Sequence, residues 1–469
     1  MSRRPRGGRS RPGSRPRAAP FTARDLPGLF EIERLSHDGR GIARWEGKTL
    51  FVEGALPQEQ VRVRLLGNQS RYAEGEALEY HNAASDRQTP PCRHYHECGG
   101  CQLQHLTPEA QLQAKQTSLL EQLQRTARLQ PGHLVAPIAS DSEGYRHRAR
   151  LGVWYERSGE VILGFRRKRR RELTPIDHCT VLAPELNRLL APLKQWLTTL
   201  ETRGAITHVE AMTGAPGPAL VLREVKPLSP ADQDRLRQLE AGQGCVVWRQ
   251  PGAASALLDS SGRPVDPRLS YCLPADLSGE LNGELPEEAL TLASHPGDFT
   301  QVNPSVNRRM VQQAMDWLAV GPGETVLDLF CGIGNFTLPL ARRGAQVLGL
   351  EGSQAMVERA RDNARANGLT EARFEAADLN NTDLKRFKRS LGRVDALLLD
   401  PPRDGARELI RGVGQLSPSR VVYVSCNPAT LARDAAELAA AGYHLQSLGV
   451  LDMFPHTEHM ESMALFIRR

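Results

Sequence analysis

The sequence predicts an α/β protein with three folded regions: a small OB-like β-barrel, an α+β central region and a C-terminal Rossmann-like sheet of seven strands. Three observations carry this prediction. Short alternating runs broken by Gly and Pro fill residues 29–83, mixed strands and helices follow, and a regular alternation of strand and helix begins near residue 290. A chain of 469 residues is also too long for one ordinary domain.

The C-terminal alternation predicts five parallel strands joined by helices. The predicted strands are residues 325–330, 346–351, 373–377, 394–400 and 421–425, and the clearest predicted helices are residues 306–320 and 353–367. Two further predicted strands, residues 443–452 and 462–467, have no helix between them. We expect this pair to be antiparallel, because so short a connection cannot make a parallel crossover.

Charge is distributed unevenly along the chain. The whole sequence has a net charge of +6, but eight arginines and no acidic residue lie in residues 1–24, so the remainder carries −2. A second basic run covers residues 166–171. Such clusters favour a polyanion partner such as RNA, although a solvated, non-specific tail explains residues 1–24 equally well. Residues 1–22 contain almost nothing that can pack, and we predict that they are disordered.

The sequence also sets expectations for the compartment. No apolar run reaches the length of a membrane span, and arginines stand where a secretory signal needs apolar residues. We therefore expect a cytoplasmic protein that engages no membrane. In that compartment, eight cysteines indicate metal binding or catalysis before disulfides.

A group of cysteines follows the predicted barrel: Cys92, Cys98 and Cys101. The spacing C-x5-C-x2-C with a more distant fourth cysteine differs from the paired CxxC knuckles of many zinc ribbons, and it supports an iron–sulfur cluster. On spacing alone, zinc remains the alternative, with His94 or His96 as a further ligand.

A strand, a tight glycine turn and a helix start are predicted at residues 326–337. Gly332 and Gly334 let a ligand approach the backbone, but the third glycine of a dinucleotide fingerprint is absent, which argues against a pyrophosphate clamp. Glu351 ends the second strand, where it can bind ribose hydroxyls, and Asp378 ends the third, within reach of an adenine edge. These residues describe a nucleoside pocket that suits S-adenosylmethionine, with a non-binding α/β layer as the alternative.

Cys426 follows a predicted buried strand and precedes a helix that begins after Pro428. At this end of an open α/β sheet a thiolate can add to an electrophilic carbon, although a buried structural thiol is the alternative. Asp400 ends the neighbouring strand. Amino-methylating enzymes of this fold usually have Asn there, so the Asp argues against nitrogen as the target. The final segment adds four candidate general bases: His456, Glu458, His459 and Glu461.

Five segments together resemble the RNA uracil-5-methyltransferase family, and the resemblance runs from about residue 25 to the end. The segments are DFTQVN at 298–303, LDLFCGIGNF at 327–336, DPPR at 400–403, SCNP at 425–428 and HTEHMES at 456–462. Residues 36–43 and 51–58 likewise resemble a TRAM domain, which is an RNA-binding module. The TRAM module and the cysteines narrow the resemblance to members that methylate 23S ribosomal RNA, because the transfer-RNA member lacks both.

The resemblance implies a class I methyltransferase domain at 286–469, preceded by a TRAM barrel at 23–85 and a central domain at 86–285. It implies Cys426 as the nucleophile and Glu461 as the base. The residues implied to line the methyl-donor site are Gln301, Phe330, Asn335, Glu351, Asp378 and Asp400. The implied ligands of a [4Fe-4S] cluster are Cys92, Cys98, Cys101 and Cys179.

The implied reaction is S-adenosylmethionine-dependent methylation of uracil C5, through a covalent bond between Cys426 and C6 of a base extruded from its stack. We expect a monomer that acts on 23S ribosomal RNA and not on DNA. Two alternatives stay open. One is methylation of another uridine in 23S or transfer RNA. The other is a non-catalytic iron–sulfur protein that binds RNA during assembly, and the intact set of Cys426, Glu461 and Asp400 argues against it.

Overall fold

The computed structural model describes residues 22–252, 256–274, 289–380 and 383–468. Within these ranges the chain divides into two compact units, one ending at Ser85 and the other beginning at Asp86. The segment 1–22, predicted to be disordered, lies outside the described residues except for Thr22. None of the described helices combines the length and the apolar composition needed to cross a membrane.

The first unit is a closed β-barrel. Its strands are β1 (Arg24–Asp25), β2 (Phe30–Glu31), β3 (Arg34–Leu35), β4 (Gly41–Trp45), β5 (Lys48–Glu53), β6 (Gln60–Asn68) and β7 (Tyr72–Asn82). They pair in the order β1-β6-β7-β5-β4-β3, and β2 also pairs with β6, so residues 30–35 join both ends of the sheet. Val61, Val63 and Leu65 alternate inward and are fully buried. The predicted OB-like barrel is confirmed.

The second unit begins with α1 (Pro108–Ala127) and a short strand, β8 (His133–Leu134). Its central sheet pairs in the order β11-β10-β9-β12-β13-β14-β15. The elements, in chain order, are β9 (Arg148–Tyr155), β10 (Val161–Arg166), β11 (Leu173–Pro175), α2 (Pro184–Thr198), β12 (Ile206–Met212), β13 (Ala219–Glu224), α3 (Pro230–Gln243), β14 (Val246–Pro251) and β15 (Leu258–Asp259). A separate antiparallel pair follows, β16 (Leu269–Leu273) and β17 (Leu290–Ser294).

The two faces of the central sheet differ. Helices α2 and α3 share one buried core with inward-facing residues of the strands. Along β9, Ala149, Leu151 and Val153 are buried in that core, whereas Arg150 and Trp154 on the opposite face are exposed. The alternation of the strand therefore leaves a face that carries a cation and an indole toward solvent.

The C-terminal sheet pairs in the order β20-β19-β18-β21-β22-β24-β23-β8. Its strands are β18 (Thr325–Leu329), β19 (Gln346–Glu351), β20 (Ala372–Ala376), β21 (Ala396–Leu399), β22 (Arg420–Ser425), β23 (Tyr443–Leu451) and β24 (Glu461–Arg468). Its helices are α4 (Pro304–Leu318), α5 (Thr337–Arg342), α6 (Gln354–Ala366), α7 (Leu384–Leu391), α8 (Arg407–Leu416) and α9 (Pro428–Ala440). Strands β18 to β22 are parallel, and β24 is antiparallel to both of its neighbours, as predicted.

This sheet has eight strands rather than the predicted seven. The additional strand is β8, which pairs in parallel with Ser447 and Leu448 at the outer edge of β23. A strand of two residues shows no alternation of apolar and polar positions, so its place in the sheet is not visible in the sequence.

Apolar layers cover both faces of the C-terminal sheet. Helices α4, α5 and α6 contribute to one layer, and α7, α8 and α9 to the other. Helix α1 adds Leu119 and Leu123 to the second layer and packs against α9. Because residues from Asp86 onward form a single compact unit, the domain limit at residue 285 stays a prediction.

Arg249→Met is expected to destabilise the second unit by about 3–5 kcal/mol, because it leaves the buried carboxylate of Glu224 without its cation. The guanidinium of Arg249 donates two hydrogen bonds of 2.9 Å to Glu224, and both side chains are nearly inaccessible. The free energy of unfolding is measured by urea denaturation followed by circular dichroism.

The matched control is Arg263→Met. Arg263 is 79% exposed and pairs with Asp259 at 3.0 Å, so its loss changes stability by less than about 1 kcal/mol. Equal urea midpoints for the two variants contradict the prediction.

Candidate active site

The predicted nucleophile and base lie at the same edge of the C-terminal sheet. Cys426 follows the last residue of β22, and Glu461 is the first residue of β24. The final pair in the antiparallel register is Ser425 with Ser462. Continued by one residue, this register places Cys426 opposite Glu461. The strand order thus joins two residues that are separated by a helix, a strand and a loop along the chain.

Glu461, which is buried, and Asp400, which is partly buried, form an acidic pair beside the thiol. Glu461 is only 4% exposed, and Asp400 follows β21 at the same edge. Burial raises the pKa of both carboxyl groups well above their usual range, and the negative charge of Asp400 raises the pKa of Glu461 further. The guanidinium of Arg403 acts in the opposite direction on Glu461. The pair therefore holds a proton more tightly than exposed carboxylates do.

The same surroundings keep Cys426 in its thiol form when no substrate is bound. The side chain is half-buried. Burial, and then the charges of Glu461 and Asp400, raise the pKa of Cys426 to about 11, against the lowering effect of Arg403. A nucleophilic role for Cys426 would require the thiol to lose this proton, and Glu461 and Asp400 are the acids whose charges act on it.

The other candidate bases have different surroundings. His456 is buried, and its ring is hydrogen bonded to Gln111 Nε2 at 3.1 Å. Burial lowers the pKa of His456 to about 4, so it is neutral. His459 is exposed. Of the four candidates, Glu461 is the one whose charge raises the pKa of the Cys426 thiol.

The glycine turn after β18 is shaped by positive φ angles and by Glu351. Phe330, Gly332 and Gly334 have φ values of 65°, 57° and 100°. A left-handed backbone is strained for Phe330, and strain of this kind is found most often at binding and active sites. The carboxylate of Glu351 accepts hydrogen bonds from the backbone N–H of Gly332 at 3.2 Å and of Ser353 at 3.0 Å.

A cavity of about 220 Å³ lies next to this turn, and Gln301 and Asn307 are among its lining residues. Asn335 exchanges hydrogen bonds of 2.9 and 3.1 Å with Asn307 and accepts one from the Tyr271 hydroxyl at 3.0 Å. Gln301 Oε1 is buried and has no hydrogen-bond partner among the described residues. A buried acceptor without a donor is costly, so Gln301 fits a ligand that brings an N–H or O–H group.

Asp378 occupies the same edge of the sheet but is exposed. It lies two residues after β20, and its carboxylate accepts a hydrogen bond from the backbone N–H of Asn380 at 3.0 Å. The third strand end thus carries an acid, as predicted.

Asp328 is an acidic residue of this region that the sequence analysis did not predict as part of the site. It is fully buried in β18, and one of its oxygens accepts a hydrogen bond from the Thr337 hydroxyl at 2.5 Å. Burial, with the negative charges of Asp400 and Glu351, raises its pKa to about 7. Its signal in the sequence is a lone acid within the apolar strand Thr325–Leu329, where a charge is expensive unless function requires it.

The four predicted ligand cysteines come together from two segments of the chain. Arg93 and His94 of the first segment bind the carboxylate of Asp177 on the second, His94 Nε2 at a distance of 3.2 Å. All four thiols are free. Burial is the main cause that raises the pKa of Cys101 to about 12 and of Cys179 to about 11, and the other cysteines of the set contribute in the same direction.

Within the described ranges, no three His, Cys, Asp or Glu side chains are arranged so that they could hold a metal ion as they stand. The chemistry of the cysteine set nevertheless fits a thiolate-bound cluster, because four free thiols lie within electrostatic reach of one another. N–H groups also face the sulfurs: Cys98 Sγ accepts from Gly100 at 3.4 Å, and Cys179 accepts from Val181 and Leu182. Hydrogen bonds of this kind surround iron–sulfur clusters.

Two family models match the chain. The family described as tRNA (Uracil-5-)-methyltransferase matches residues 285–469, and the TRAM domain matches residues 31–78. The chain is 44% identical over 443 residues to the 23S rRNA (uracil(1939)-C(5))-methyltransferase RlmD of Alcanivorax borkumensis, which covers 94% of this chain and 97% of the relative. It is 46% identical over 446 residues to the protein of the same name from Alkalilimnicola ehrlichii, again over 94% and 97%.

One solved structure has a similar fold over most of the chain. It is the Pyrococcus abyssi tRNA (uracil-54, C5)-methyltransferase in complex with S-adenosyl-L-homocysteine, with a TM-score of 0.67 and 22% identity. The match covers 94% of this chain and all of the other. At this identity the likeness concerns the fold, and it confirms the predicted Rossmann-like methyltransferase architecture.

Glu461→Gln is expected to accelerate alkylation of Cys426 by iodoacetamide in the RNA-free protein at pH 8. The substitution removes a negative neighbour, so the pKa of Cys426 falls and its thiolate fraction rises, about tenfold for each unit of pKa. The rate is followed by mass spectrometry of the peptide that contains Cys426.

The control is Glu358→Gln, which removes an exposed carboxylate from α6 and leaves the rate unchanged. An alkylation rate in Glu461→Gln that equals the rate in this control shows that the Glu461 charge does not act on the thiol.

Proposed function

The chain belongs to the family of the 23S rRNA (uracil(1939)-C(5))-methyltransferases RlmD, and on that premise we propose that it methylates C5 of the corresponding uridine in 23S ribosomal RNA, with S-adenosylmethionine as the methyl donor. The observation that carries the proposal is the pairing of β22 with β24, which sets the Cys426 thiol against Glu461. Asp400 completes the site from the neighbouring strand.

The reaction begins at C6, because C5 of uracil is a poor nucleophile. Cys426 passes its proton to Asp400, which leaves Glu461 free for the later step. The sulfur adds to C6, and the electron pair of the C5–C6 double bond moves into the C5–C4–O4 enolate. C5 then attacks the donor methyl group in line, the bond from the methyl group to the donor sulfur breaks, and that sulfur keeps the electron pair. The methyl group thus passes directly from donor to base, and the thiol carries only the base.

Glu461 then acts as the general base. It removes the proton from C5, the C5–C6 double bond reforms, and the thiolate leaves C6. Its raised pKa suits this task, since a carboxylate that holds protons more tightly is a stronger base. Asp400 supports that role, because its negative charge is one cause of the raised pKa.

The methyl donor is assigned to the edge that carries the glycine turn. Glu351 would accept hydrogen bonds from the ribose hydroxyls with its remaining lone pairs, and Asp378 would face the adenine. Gln301 Oε1 has a vacant acceptor position that suits the amino group of the donor. Phe330 and Asn335, in the segment of the glycine turn, would line the same donor site. The carboxylate and amide groups proposed for this pocket suit a nucleoside that carries no phosphate groups.

The open face of the central sheet supports an RNA partner. Burial, followed by the positive charges of Arg150, Arg166 and Arg223, lowers the pKa of His208, so three cations converge on one patch. Trp154 on the same face is 58% exposed. Cations that neutralise phosphates beside an aromatic ring that stacks on bases are typical of single-stranded RNA binding.

One end of this face lies beside the cavity that Gln301 lines, which is proposed for the methyl donor. Arg148, at the start of β9, donates a hydrogen bond of 2.6 Å to the backbone oxygen of Asp298, close to the cavity that Gln301 lines. From Arg148 to Trp154 the strand extends about 20 Å. A flipped uridine in the site therefore has room for its neighbours along β9, and the TRAM barrel supplies a further RNA-binding module.

Cys92, Cys98, Cys101 and Cys179 are proposed to hold a [4Fe-4S] cluster. When bound, the cluster would supply a covalent cross-link between the segment 92–101 and Cys179. His94, the alternative zinc ligand, is already engaged by Asp177. We assign the cluster a structural role, since the methyl transfer is complete without it.

We further propose that the protein acts as a cytoplasmic monomer, because one chain supplies every residue of the site and ribosomal RNA is the substrate. DNA is not expected as a substrate, since its thymine already carries the C5 methyl group.

Cys426→Ala is expected to abolish 5-methyluridine formation, and Glu461→Gln to stall with RNA bound covalently. Without the thiol no adduct forms, and without the base the adduct cannot eliminate. The measurements are methyl incorporation into 23S ribosomal RNA and a denaturing gel that separates free protein from adduct.

The substrate is tested by mapping 5-methyluridine in ribosomal and transfer RNA from cells with and without the gene. We expect one 23S position to lose its methyl group, and wild-type protein but not Cys426→Ala to restore it. Loss of the mark from transfer RNA instead would overturn the ribosomal assignment, and measurable turnover by Cys426→Ala would overturn the nucleophile.

Anaerobically purified protein is expected to be brown and to contain about four iron atoms per chain. Cys179→Ser lowers the iron content and the visible absorbance, because it removes one proposed ligand. Cys272→Ser, a half-buried cysteine outside the set, is the control and keeps both. Stoichiometric zinc without iron refutes the cluster.

A further inference from the structure

The loop that carries the catalytic base is held from outside the methyltransferase sheet. Residues 452–460 connect β23 to Glu461 and form neither helix nor strand. The backbone of His456 has a φ of 66°, a left-handed conformation that a residue with a side chain rarely adopts. Such a conformation persists only where neighbouring groups hold it in place.

Helix α1 makes several of the hydrogen bonds that fix this loop. The Gln111 side chain accepts a hydrogen bond from the backbone N–H of His456 at 2.8 Å through Oε1. Its Nε2 donates to the His456 ring at 3.1 Å and to the Leu106 carbonyl at 2.7 Å. One helical turn later, Lys115 donates to Asp452 at 2.7 Å and to the backbone oxygen of Phe454 at 3.1 Å.

The residues that directly follow Cys101 bind the backbone carbonyl of His456. The backbone N–H groups of Gln102 and Leu103 both donate to the carbonyl of His456, at 3.0 and 2.9 Å. The hydroxyl of Tyr145 donates to Pro455 O at 2.9 Å. Every backbone polar group of His456 is therefore bound by residues that lie more than 300 positions earlier in the chain.

The tautomer of His456 makes the contact with Gln111 specific. Since Oε1 of Gln111 accepts from the backbone, its Nε2 is the atom that faces the ring, and ring Nδ1 must accept. The proton of the neutral ring then lies on Nε2. Only an amide offers both the acceptor and the donor that this arrangement needs. Gln111 is itself 1% exposed, so water cannot replace it.

We infer that Gln111 is a positioning residue for the proton-abstraction step: it fixes His456, and through the loop it fixes where Glu461 stands relative to the covalently bound base. The inference rests on the proposed function. Loosening this contact affects Glu461, whereas Cys426 is anchored independently by β22 and α9. The step that slows is therefore the elimination of Cys426 from the base, whereas the addition of its thiol to C6 is unaffected.

Gln111→Glu tests the inference. The substitution keeps the shape of the side chain but turns the donor atom into an acceptor that faces the Leu106 carbonyl, a group that can only accept. We expect turnover on 23S ribosomal RNA to fall at least tenfold, while the fraction of enzyme in the covalent RNA adduct rises at least fivefold on a denaturing gel. A general loss of structure lowers both quantities together.

Gln113→Glu is the matched control, because it makes the same change on the exposed side of α1. It should turn over and form adduct as wild type does. If Gln111→Glu fails to fold in a thermal melt, Gln111→Asn decides, since it keeps the amide but is too short to make both bonds to His456.

Two results overturn the positioning role: turnover in the folded variant within twofold of wild type, or lost turnover without adduct. Both leave the proposed function intact. Failure of the proposed function looks different, because wild-type protein and Gln113→Glu then give no methylation of 23S ribosomal RNA at all.

Discussion

Ser425 of β22 pairs with Ser462 of β24, and this one register sets the thiol of Cys426 against the carboxylate of Glu461. A shift of one residue would turn every side chain of β24 to the other face of the sheet. The buried residues of both strands oppose such a shift, since Val422, Val424 and Met463 pack into one apolar layer while Tyr423 and Ala464 pack into the other. The hydrophobic pattern of the sheet thereby determines where the Cys426 thiol lies relative to the Glu461 carboxylate.

Placing the buried Glu461 and the partly buried Asp400 beside a thiol has a cost in folding free energy that the rest of the sheet must offset. The folded pKa values of Glu461 and Asp400 lie above those of the unfolded chain. The protonated forms are compatible with burial, so stability declines as the pH rises from the unfolded pKa toward the folded one. The shift that suits Glu461 to its proposed role as a base thus weakens the fold progressively between about pH 4.5 and about pH 8. Asp328, buried with a raised pKa in the neighbouring strand, adds to this cost.

The sequence predicts β19 to the residue, because an apolar run ends at Glu351 before Gly352. The five parallel strands and the antiparallel terminal pair also follow from the chain pattern, whereas the order of the strands in the sheet does not. Two residues of β8 carry too little pattern to be seen. Site residues such as Gln301 are predicted through family resemblance alone, since a glutamine before a helix has no distinctive signal. The contact of Gln111 with His456 spans 345 positions, and no local pattern can reveal it.

Strand β24 follows β23 along the chain but lies between β22 and β23 in the sheet. A folding chain that has docked β23 first therefore contains a slot with unpaired N–H and C=O groups on both sides, and such edges invite pairing with other chains. The strand that fills the slot also carries Glu461, the proposed base. Under the proposed mechanism, the strand that completes the sheet is thus also the strand that makes elimination possible.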